Sequence, residues 1–257
     1  MTMRHIKAAT VNPEYARRLQ ATPENPFPAC EGGDPGTPEK RSIWVFGLEP
    51  GYSKRDEQAD VEQRPQEPGF SAYSVELQLG WPYNRSCFKL LSAIEGLRVE
   101  GYSRFARDRR CFEKGCIGYF KGNLYPEAFN RMSSWPDWAQ RDIAATKAEY
   151  QAWCRETRFP EIASWVRRFR PKLFIGVGAS SRQDFATVVY ERGVDFQEKR
   201  FHINGRAKVI YIGVTDSPTP LVVVPHLSGG PGGLNSNDAI QKAGDVIRSL
   251  LEQPSEA

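Results

Sequence analysis

Short apolar runs bounded by turn residues recur along the chain and predict buried β-strands. Four of these runs show little alternation of polar and apolar positions, which is typical of parallel strands covered on both faces. They span residues 42–47, 116–120, 173–177 and 221–224. A fifth run, 207–214, is separated from the last one by the turn-forming sequence TDSPTP, so we expect it to pair there as an antiparallel neighbour or edge strand.

Apolar residues at helical spacing fill the gaps between the predicted strands. The spacings predict four helices, marked by Phe88, Leu91 and Ile94; by Ile143, Tyr150 and Trp153; by Ile162, Trp165, Val166 and Phe169, ending at Pro171; and by Ile240, Ala243, Ile247 and Leu251, with a cap near Asn235 or Ser236. Strands that alternate with helices predict an α/β fold, here a three-layer α/β/α sandwich around a mainly parallel sheet of four to five strands.

The organisation of the chain is simple. Its 257 residues suffice for one sizeable core. Residues 1–40 are expected to form an irregular N-terminal arm, because 21–40 are crowded with Pro, Gly and Glu and show no apolar period. Residues 41–252 then form the domain, and residues 253–257 form a tail.

Composition narrows the function classes only slightly. The net charge of +4 permits a nucleic-acid partner without requiring one. The sequence has neither an apolar run of about 18 residues nor an apolar signal segment, so we expect a cytoplasmic protein with no membrane contact. The five cysteines are odd in number and scattered, which favours reduced thiols over disulfides. An iron-sulfur cluster on Cys111 and Cys116 fits their spacing poorly, and no metal or cofactor is expected.

The residues that follow the predicted parallel strands are candidates for function, because ligands bind at the carboxyl ends of such strands. After the first strand, GLEPG at 47–51 forms a tight turn that directs Glu49 into the crevice. After the second, Asn123 offers a donor and an acceptor on one side chain, as reading the edge of a base requires. Each residue also has a plainer interpretation, as part of a solvated surface turn.

The last two strands end in segments that are rich in small residues. His226 and the glycines at 229–233 follow the final strand and lead into a helix, where a backbone phosphate would fit. A core or capping role for His226 is the alternative. The third strand ends in IGVGASS, which lacks the last glycine of a dinucleotide fingerprint, so Ser180 and Ser181 are interpreted as helix caps or as phosphate contacts.

Taken in order, GLEPG at 47–51, KGNLYP at 121–126 and HLSG at 226–229 resemble the three motifs of the uracil-DNA glycosylase superfamily. The Asn-x-x-Pro form at 123–126 looks most like the single-strand-selective monofunctional branch. The passage FRPKLFI at 169–175 resembles the helix-to-strand junction common in the superfamily, and the similarity spans about residues 42–251. The resemblance implies a monofunctional, monomeric DNA glycosylase that extrudes a base and hydrolyses its N-glycosidic bond.

The resemblance also implies roles for individual residues. Glu49 stands where the family has the Asp or Asn that orients water and stabilises the cationic sugar, and His226 would donate to the departing base. Asn123 would read the base edge and Phe70 would stack on the base. Two departures are evident: Glu49 is one methylene longer than the family residue, and Leu227 replaces a proline after the histidine.

The turn after the first strand also bears on the choice of base. Gly51 stands where the uracil-specific branch has a tyrosine that blocks substituents at the 5-position, so larger pyrimidines would have room there, next to Tyr52. The residues expected to contact DNA are Ser180, Ser181, Ser228, Gly229, Gly230, Leu234, Arg109 and Arg110. For Leu234 the alternatives are a wedge into the base stack or a staple for the last helix.

Three other functions remain open from the sequence. Relatives with phage-defence roles excise glucosylated hydroxymethylcytosine, which is an alternative substrate. A non-catalytic DNA-binding module would keep the pocket but lose hydrolysis. A nucleotide-binding or transferase protein would use the glycine-rich loop as a phosphate cradle.

Overall fold

A twisted, mostly parallel β-sheet lies at the centre of the protein. The structure, a computed structural model, describes residues 11–51, 73–129, 133–227 and 232–252. The strands within these ranges are β1 (Gly32–Gly33), β2 (Ile43–Gly47), β3 (Tyr119–Asn123), β4 (Leu173–Val177), β5 (Phe196–Ile203), β6 (Arg206–Gly213) and β7 (Leu221–Val224). They form one sheet in the order β1-β3-β2-β4-β7-β6-β5.

Helices connect the strands and cover both faces of the sheet. Those in the described ranges are α1 (Pro13–Arg18), α2 (Val75–Leu79), α3 (Pro82–Ile94), α4 (Tyr102–Arg109), α5 (Asp137–Asp142), α6 (Lys147–Phe169), α7 (Arg182–Tyr190) and α8 (Asn237–Glu252). Short 3-10 turns cover Val99–Gly101 and Ala179–Ser181. Among the described helices, none is both long and apolar enough to cross a membrane.

The four inner strands, β3, β2, β4 and β7, run parallel. Ile43 at the start of β2 lies opposite Tyr119 of β3 and Leu173 of β4, so the strands begin together. Their carboxyl ends therefore meet at one edge of the sheet, which we call the carboxyl edge. The outer strands β1, β6 and β5 pair antiparallel to their neighbours.

Successive side chains of the inner strands enter two separate cores. Ile43 and Val45 point into the core under α3 and α8, whereas Trp44 and Phe46 point into the core under α6 and α7. All four side chains are buried. Burial on both faces explains why these strands appear in the sequence as continuous apolar runs, and it gives the sandwich its three layers.

The predicted α/β fold with a mainly parallel central sheet is confirmed, but the strand count is wrong. Seven strands in the described ranges replace the expected four to five. The main omission is β5, whose sequence FQEKRFHI is polar and largely exposed. Its signal was the dipeptide Asn204-Gly205, in which both residues have positive φ (49° and 73°), as in the tight turns that join hairpin strands.

The helices also differ from the expectation at one place. The two helices predicted around Tyr150 and Ile162 are a single helix, α6, which continues through Pro160. A proline removes one backbone hydrogen bond from a helix interior, and the buried side chains on either side of Pro160 hold the helix in place. The predicted cap of the last helix lies at Ser236, whose Oγ accepts from the Ala239 N–H at 3.2 Å.

The N-terminal segment packs against the domain. Most of 21–40 is irregular, as expected, but α1 and β1 correct the interpretation of the whole segment as an irregular arm. β1 pairs with β3, and Tyr15, Phe27 and Cys30 are buried in the core under α6. The boundary expected at residue 40 therefore separates no independent unit within the described residues.

Candidate active site at the carboxyl edge of the sheet

The turn after β2 is held rigidly against the segment that follows β3. The Leu124 N–H donates to the Gly47 carbonyl at 3.0 Å, and the Tyr125 N–H donates to the Leu48 carbonyl at 2.8 Å. Farther along, Gly51 forms a parallel bridge with Phe129. The two segments thus continue side by side beyond the strands, and Glu49 between them has a fixed backbone position.

Glu49 is a buried carboxylate paired with a lysine. Its side chain is 5% exposed, and Lys147 Nζ lies 2.8 Å from Oε1 and 3.1 Å from Oε2. Only the contact with Oε2 has hydrogen-bond geometry, and Oε1 has no hydrogen-bond donor among the described residues. Burial raises the pKa of Glu49, while the hydrogen bond and charge of Lys147 oppose that rise.

Lys147 was not identified from the sequence. It is the first residue of α6 and lies within a capping box, in which the Thr146 hydroxyl and the Glu149 carboxylate bond reciprocally to the backbone. The Lys147 side chain is 11% exposed, and its Nζ lies 4.2 Å from the centre of the Phe129 ring. A cation at a helix N-terminus is opposed by the helix dipole, so Glu49 and Phe129 supply the stabilisation that this position lacks.

Asn123 is the last residue of β3, not a residue after the strand as expected. It is buried, and its Nδ2 donates to Glu31 Oε1 at 2.6 Å. The amide oxygen lies over Gly47, where a Cβ would stand only 2.5 Å from it. Gly47 is thus required for the close approach of the amide, and Asn123 faces the protein interior in this structure.

A chain of buried polar groups continues from Asn123. Glu31 Oε2 accepts from Lys121 Nζ, whose side chain is 3% exposed. Lys121 Nζ also donates to Asn84 Oδ1 at 2.7 Å, and Asn84 Nδ2 donates to Gln78 Oε1 at 3.2 Å. Glu31 and Lys121 were not identified from the sequence, since a carboxylate in a Pro/Gly-rich segment and a lysine inside a strand give no local signal.

His226 follows β7 and is exposed. Its ring centre lies 6.2 Å from that of Tyr83, which belongs to α3. The Tyr83 hydroxyl oxygen would lie 3.3 Å from a Cβ at Gly47, the glycine that accommodates the Asn123 amide. Tyr83 therefore spans the distance between His226 and the end of β2.

The wedge role expected for Leu234 is wrong. Leu234 is fully buried in the core under α3 and α8, and its N–H donates to the His226 carbonyl at 2.9 Å. A buried side chain cannot enter a base stack without leaving the core, which would cost about 1.5–3 kcal/mol. In this structure Leu234 fixes the path of the chain from β7 towards α8, and its role as a staple for the last helix stays a prediction.

Other predicted site residues fall into two groups. Ser180 and Ser181 lie at the carboxyl edge after β4, and the Ser181 side chain makes no capping hydrogen bond to α7. Gly51 is exposed, and a Cβ there would meet no described atom within 4 Å. The remaining expectations concern Tyr52, Phe70, Ser228, Gly229 and Gly230, which lie outside the described residues.

Arg109 and Arg110 are exposed at the end of α4. Arg110 Nε lies 2.8 Å from Glu113 Oε2, and Glu113 Oε1 accepts from the Val75 N–H at 2.7 Å. Arg110 is thus part of the attachment of α2. Within the described ranges, these arginines do not contact Glu49, so their predicted role with DNA stays a prediction.

The described residues give little indication of a metal site or of an activated cysteine. No group of three or more His, Cys, Asp or Glu in this part of the chain is placed to hold a metal ion. All five cysteines are free and buried, and burial raises the pKa of Cys30, Cys87 and Cys154 to about 12. The carboxyl edge therefore offers carboxylate, amine, amide and imidazole groups for chemistry.

Comparison with protein-family models and curated proteins gives no relative for this chain. Neither the protein-family models nor the curated protein sequences contain a match to the chain. The function must accordingly be argued from the residues at the carboxyl edge.

Proposed function

We propose that the protein is a DNA glycosylase that extrudes a uracil or a C5-modified pyrimidine and hydrolyses its N-glycosidic bond. One observation carries the proposal: Glu49 is a buried carboxylate at the carboxyl end of a parallel strand, with Oε1 lacking a hydrogen-bond donor among the described residues. Lys147 offsets only part of the cost of burying this carboxylate, and a water or a cationic sugar at Oε1 would add the partner that the pair lacks. The order of the three sequence motifs supports the same function.

Glu49 performs the central step in this proposal. Loss of the base leaves positive charge on the deoxyribose, and a carboxylate stabilises that charge while orienting the attacking water. Lys147 keeps the carboxylate ionised against the cost of burial, because it supplies the opposite charge 2.8 Å from Oε1. The extra methylene of Glu49, compared with the family's Asp or Asn, is accommodated by a different position of the water.

His226 and Asn123 act on the base. His226 is exposed beside Tyr83 and can donate to the base oxygen on which negative charge develops. One N–H of the Asn123 amide is committed to Glu31, which fixes the orientation of the amide. Contact between Asn123 and a base requires displacement of the groups that bury it, so base binding is coupled to opening of this edge.

The open space beside Gly51 favours a substrate base larger than uracil. A Cβ there would meet no described atom within 4 Å, and in this proposal the substituent at the 5-position lies on that side. A glucosylated hydroxymethylcytosine, as excised in phage defence, is the bulky alternative to uracil. Both substrates require the same chemistry at the sugar.

A non-catalytic DNA-binding module is the second candidate. The observation that favours it is the inward direction of Asn123, whose amide is hydrogen bonded to Glu31 instead of being presented to a base. In that case DNA would bind at the carboxyl edge, with Ser180 and Ser181 at phosphates, and no abasic site would form.

The decisive experiment measures abasic sites after incubation with DNA. Single strands and duplexes carrying uracil, a thymine mismatch, 5-hydroxymethylcytosine or its glucosylated form are incubated with wild type, Glu49→Gln and the exposed control Glu156→Gln, and are then cleaved with alkali. We expect excision by wild type and the control, and a loss of at least about tenfold in Glu49→Gln. Binding without abasic sites on every substrate would establish the non-catalytic module, and full activity of Glu49→Gln would remove Glu49 from the mechanism.

A further inference from the structure

A buried primary amine lies beside the carboxylate of the proposed site. Lys147 Nζ is 2.8 Å from Glu49 Oε1, and both side chains are almost completely covered. Removal of a base from DNA leaves a deoxyribose that opens to an aldehyde, and aldehydes react with amines. We propose that Lys147 forms an imine with C1′ of the abasic sugar and that the protein then cleaves the strand by β-elimination, an activity that rests on the proposed function of this site.

The geometry brings the amine to the reacting carbon. In the proposed hydrolysis, Glu49 holds the water that attacks C1′, and Oε1 is the oxygen without a hydrogen-bond donor. Lys147 Nζ contacts that same oxygen. The nitrogen and the water are therefore both about one hydrogen-bond length, roughly 2.8 Å, from a single atom, so C1′ lies within reach of the lysine after small side-chain rotations.

The surroundings of Lys147 suit a nucleophile. The amine must lose a proton before it attacks, and Glu49 Oε2, which accepts a hydrogen bond from Nζ at 3.1 Å, is placed to accept that proton. Burial raises the pKa of Glu49, which makes its carboxylate the better proton acceptor.

The chemical steps balance without an oxidant or a reductant. Lys147 Nζ gives a proton to Glu49 and attacks C1′ of the aldehyde. The resulting carbinolamine loses its hydroxyl as water, which takes the proton back from Glu49 and leaves a protonated imine. Glu49 then removes a proton from C2′, and the electron pair of that C–H bond forms the C2′–C3′ double bond as the C3′–O bond breaks and the phosphate leaves. Water finally hydrolyses the protonated imine and restores the lysine ammonium, and Glu49 releases the C2′ proton to solvent.

Other lysines do not share this arrangement. Lys121 is also buried beside a carboxylate, but its Nζ bonds to both Glu31 and Asn84, and Glu31 accepts from Asn123 as well. Lys89 is a half-buried lysine at the surface, and its Nζ donates to Asn237 Oδ1 at 2.9 Å. Lys89 therefore serves as the matched control for amine reactivity at the surface.

The experiment uses DNA that already contains an abasic site, prepared with an unrelated glycosylase, so base excision by this protein is not needed. Wild type, Lys147→Arg and Lys89→Arg are incubated with this DNA and sodium cyanoborohydride, which reduces an imine to a stable amine. Covalent adducts are separated on a denaturing gel, and the linked residue is located by peptide mass spectrometry. An arginine keeps the positive charge beside Glu49 but forms no such imine.

We expect adducts at Lys147 in wild type and Lys89→Arg, and a yield at least about 100-fold lower in Lys147→Arg. No adduct in wild type, an adduct at another amine, or full yield in Lys147→Arg would overturn the inference. If the arginine variant fails to fold, the mapped residue in wild type decides the question alone. Wild type that excises bases but forms no adduct refutes only the strand cleavage, whereas adducts without excision refute only the glycosylase.

Discussion

Two lysine–glutamate ion pairs lie near the ends of β2 and β3, and they are built differently. In the pair of Lys121 and Glu31, both carboxylate oxygens accept hydrogen bonds and the amine has a second acceptor in Asn84. In the pair of Lys147 and Glu49, the carboxylate keeps one oxygen without a donor among the described residues. The first pair is complete within the protein, and the second has capacity left for a ligand.

The difference separates a structural network from a reactive one. Fully satisfied buried polar groups fix one arrangement of a core, whereas a partly satisfied pair costs stability that only binding or catalysis recovers. The network around Glu31 sets the position of Asn123 and of α3. The pair around Glu49 is the site to test for chemistry. Substitutions around Glu31 should therefore affect mainly stability, and substitutions around Glu49 should affect mainly base excision.

The largest expected effect is on stability. Lys121→Met leaves the half-buried Glu31 carboxylate and the buried Asn84 amide oxygen without their charged donor, and we expect a loss of about 3–5 kcal/mol in the free energy of unfolding. Lys147→Met should cost less, because Glu49 already has a raised pKa and can take up a proton instead. Urea denaturation of both variants measures the two losses. Equal losses would show that the two pairs have the same structural role.

The next effect concerns the hydrogen bond between Asn123 and Glu31. Asn123→Asp places a second carboxylate where the amide donated at 2.6 Å, so we expect a loss of about 1–3 kcal/mol. The double variant Asn123→Asp with Glu31→Gln restores an amide donor and a carboxylate acceptor in reversed positions. Recovery of part of the stability in thermal melts is the expected result, and a double variant less stable than Asn123→Asp would contradict it.

A third effect appears in the dependence of excision on pH. The reaction needs ionised Glu49, and burial raises its pKa, so single-turnover excision should fall on acidification at a higher pH than the ordinary glutamate value of about 4.3 predicts. Lys147→Met removes the hydrogen bond and the charge that lower the pKa of Glu49, so the acid limb of the pH profile should move to higher pH. Lys89→Met is the control and should leave the limb in place. A downward movement in Lys147→Met would contradict the role of the pair.

The smallest effect is a change in base preference at Gly51. Gly51→Tyr fills the open space beside the turn, and we expect excision of 5-hydroxymethylcytosine and its glucosylated form to fall at least about tenfold more than excision of uracil. Gly51→Ala adds only a Cβ that meets no described atom, so it should leave the profile unchanged. Single-turnover rates on each base test both variants. Equal losses on all bases in the tyrosine variant would indicate a damaged turn instead of a filled pocket.

The sequence alone determined the parallel core of the sheet and the edge at which function is sought. The runs at 42–47, 173–177 and 221–224 are strands because inner strands bury both faces and therefore appear as continuous apolar segments. The turn carrying Glu49 and the serine cap of α8 were also predictable, since turns and caps depend on residues close together in the chain. These features could be predicted because the interactions that form them join residues close together in the chain.

Only the tertiary structure decided which side chains meet at that edge. Lys147 reaches Glu49 across 98 positions, and Glu31 reaches Asn123 across 92. The tertiary structure also directs the Leu234 side chain into the core and places the polar strand β5 at the end of the sheet. Contacts between polar groups distant in sequence leave no periodic pattern, because each side chain takes its direction from the packing of elements that come together only in the folded chain.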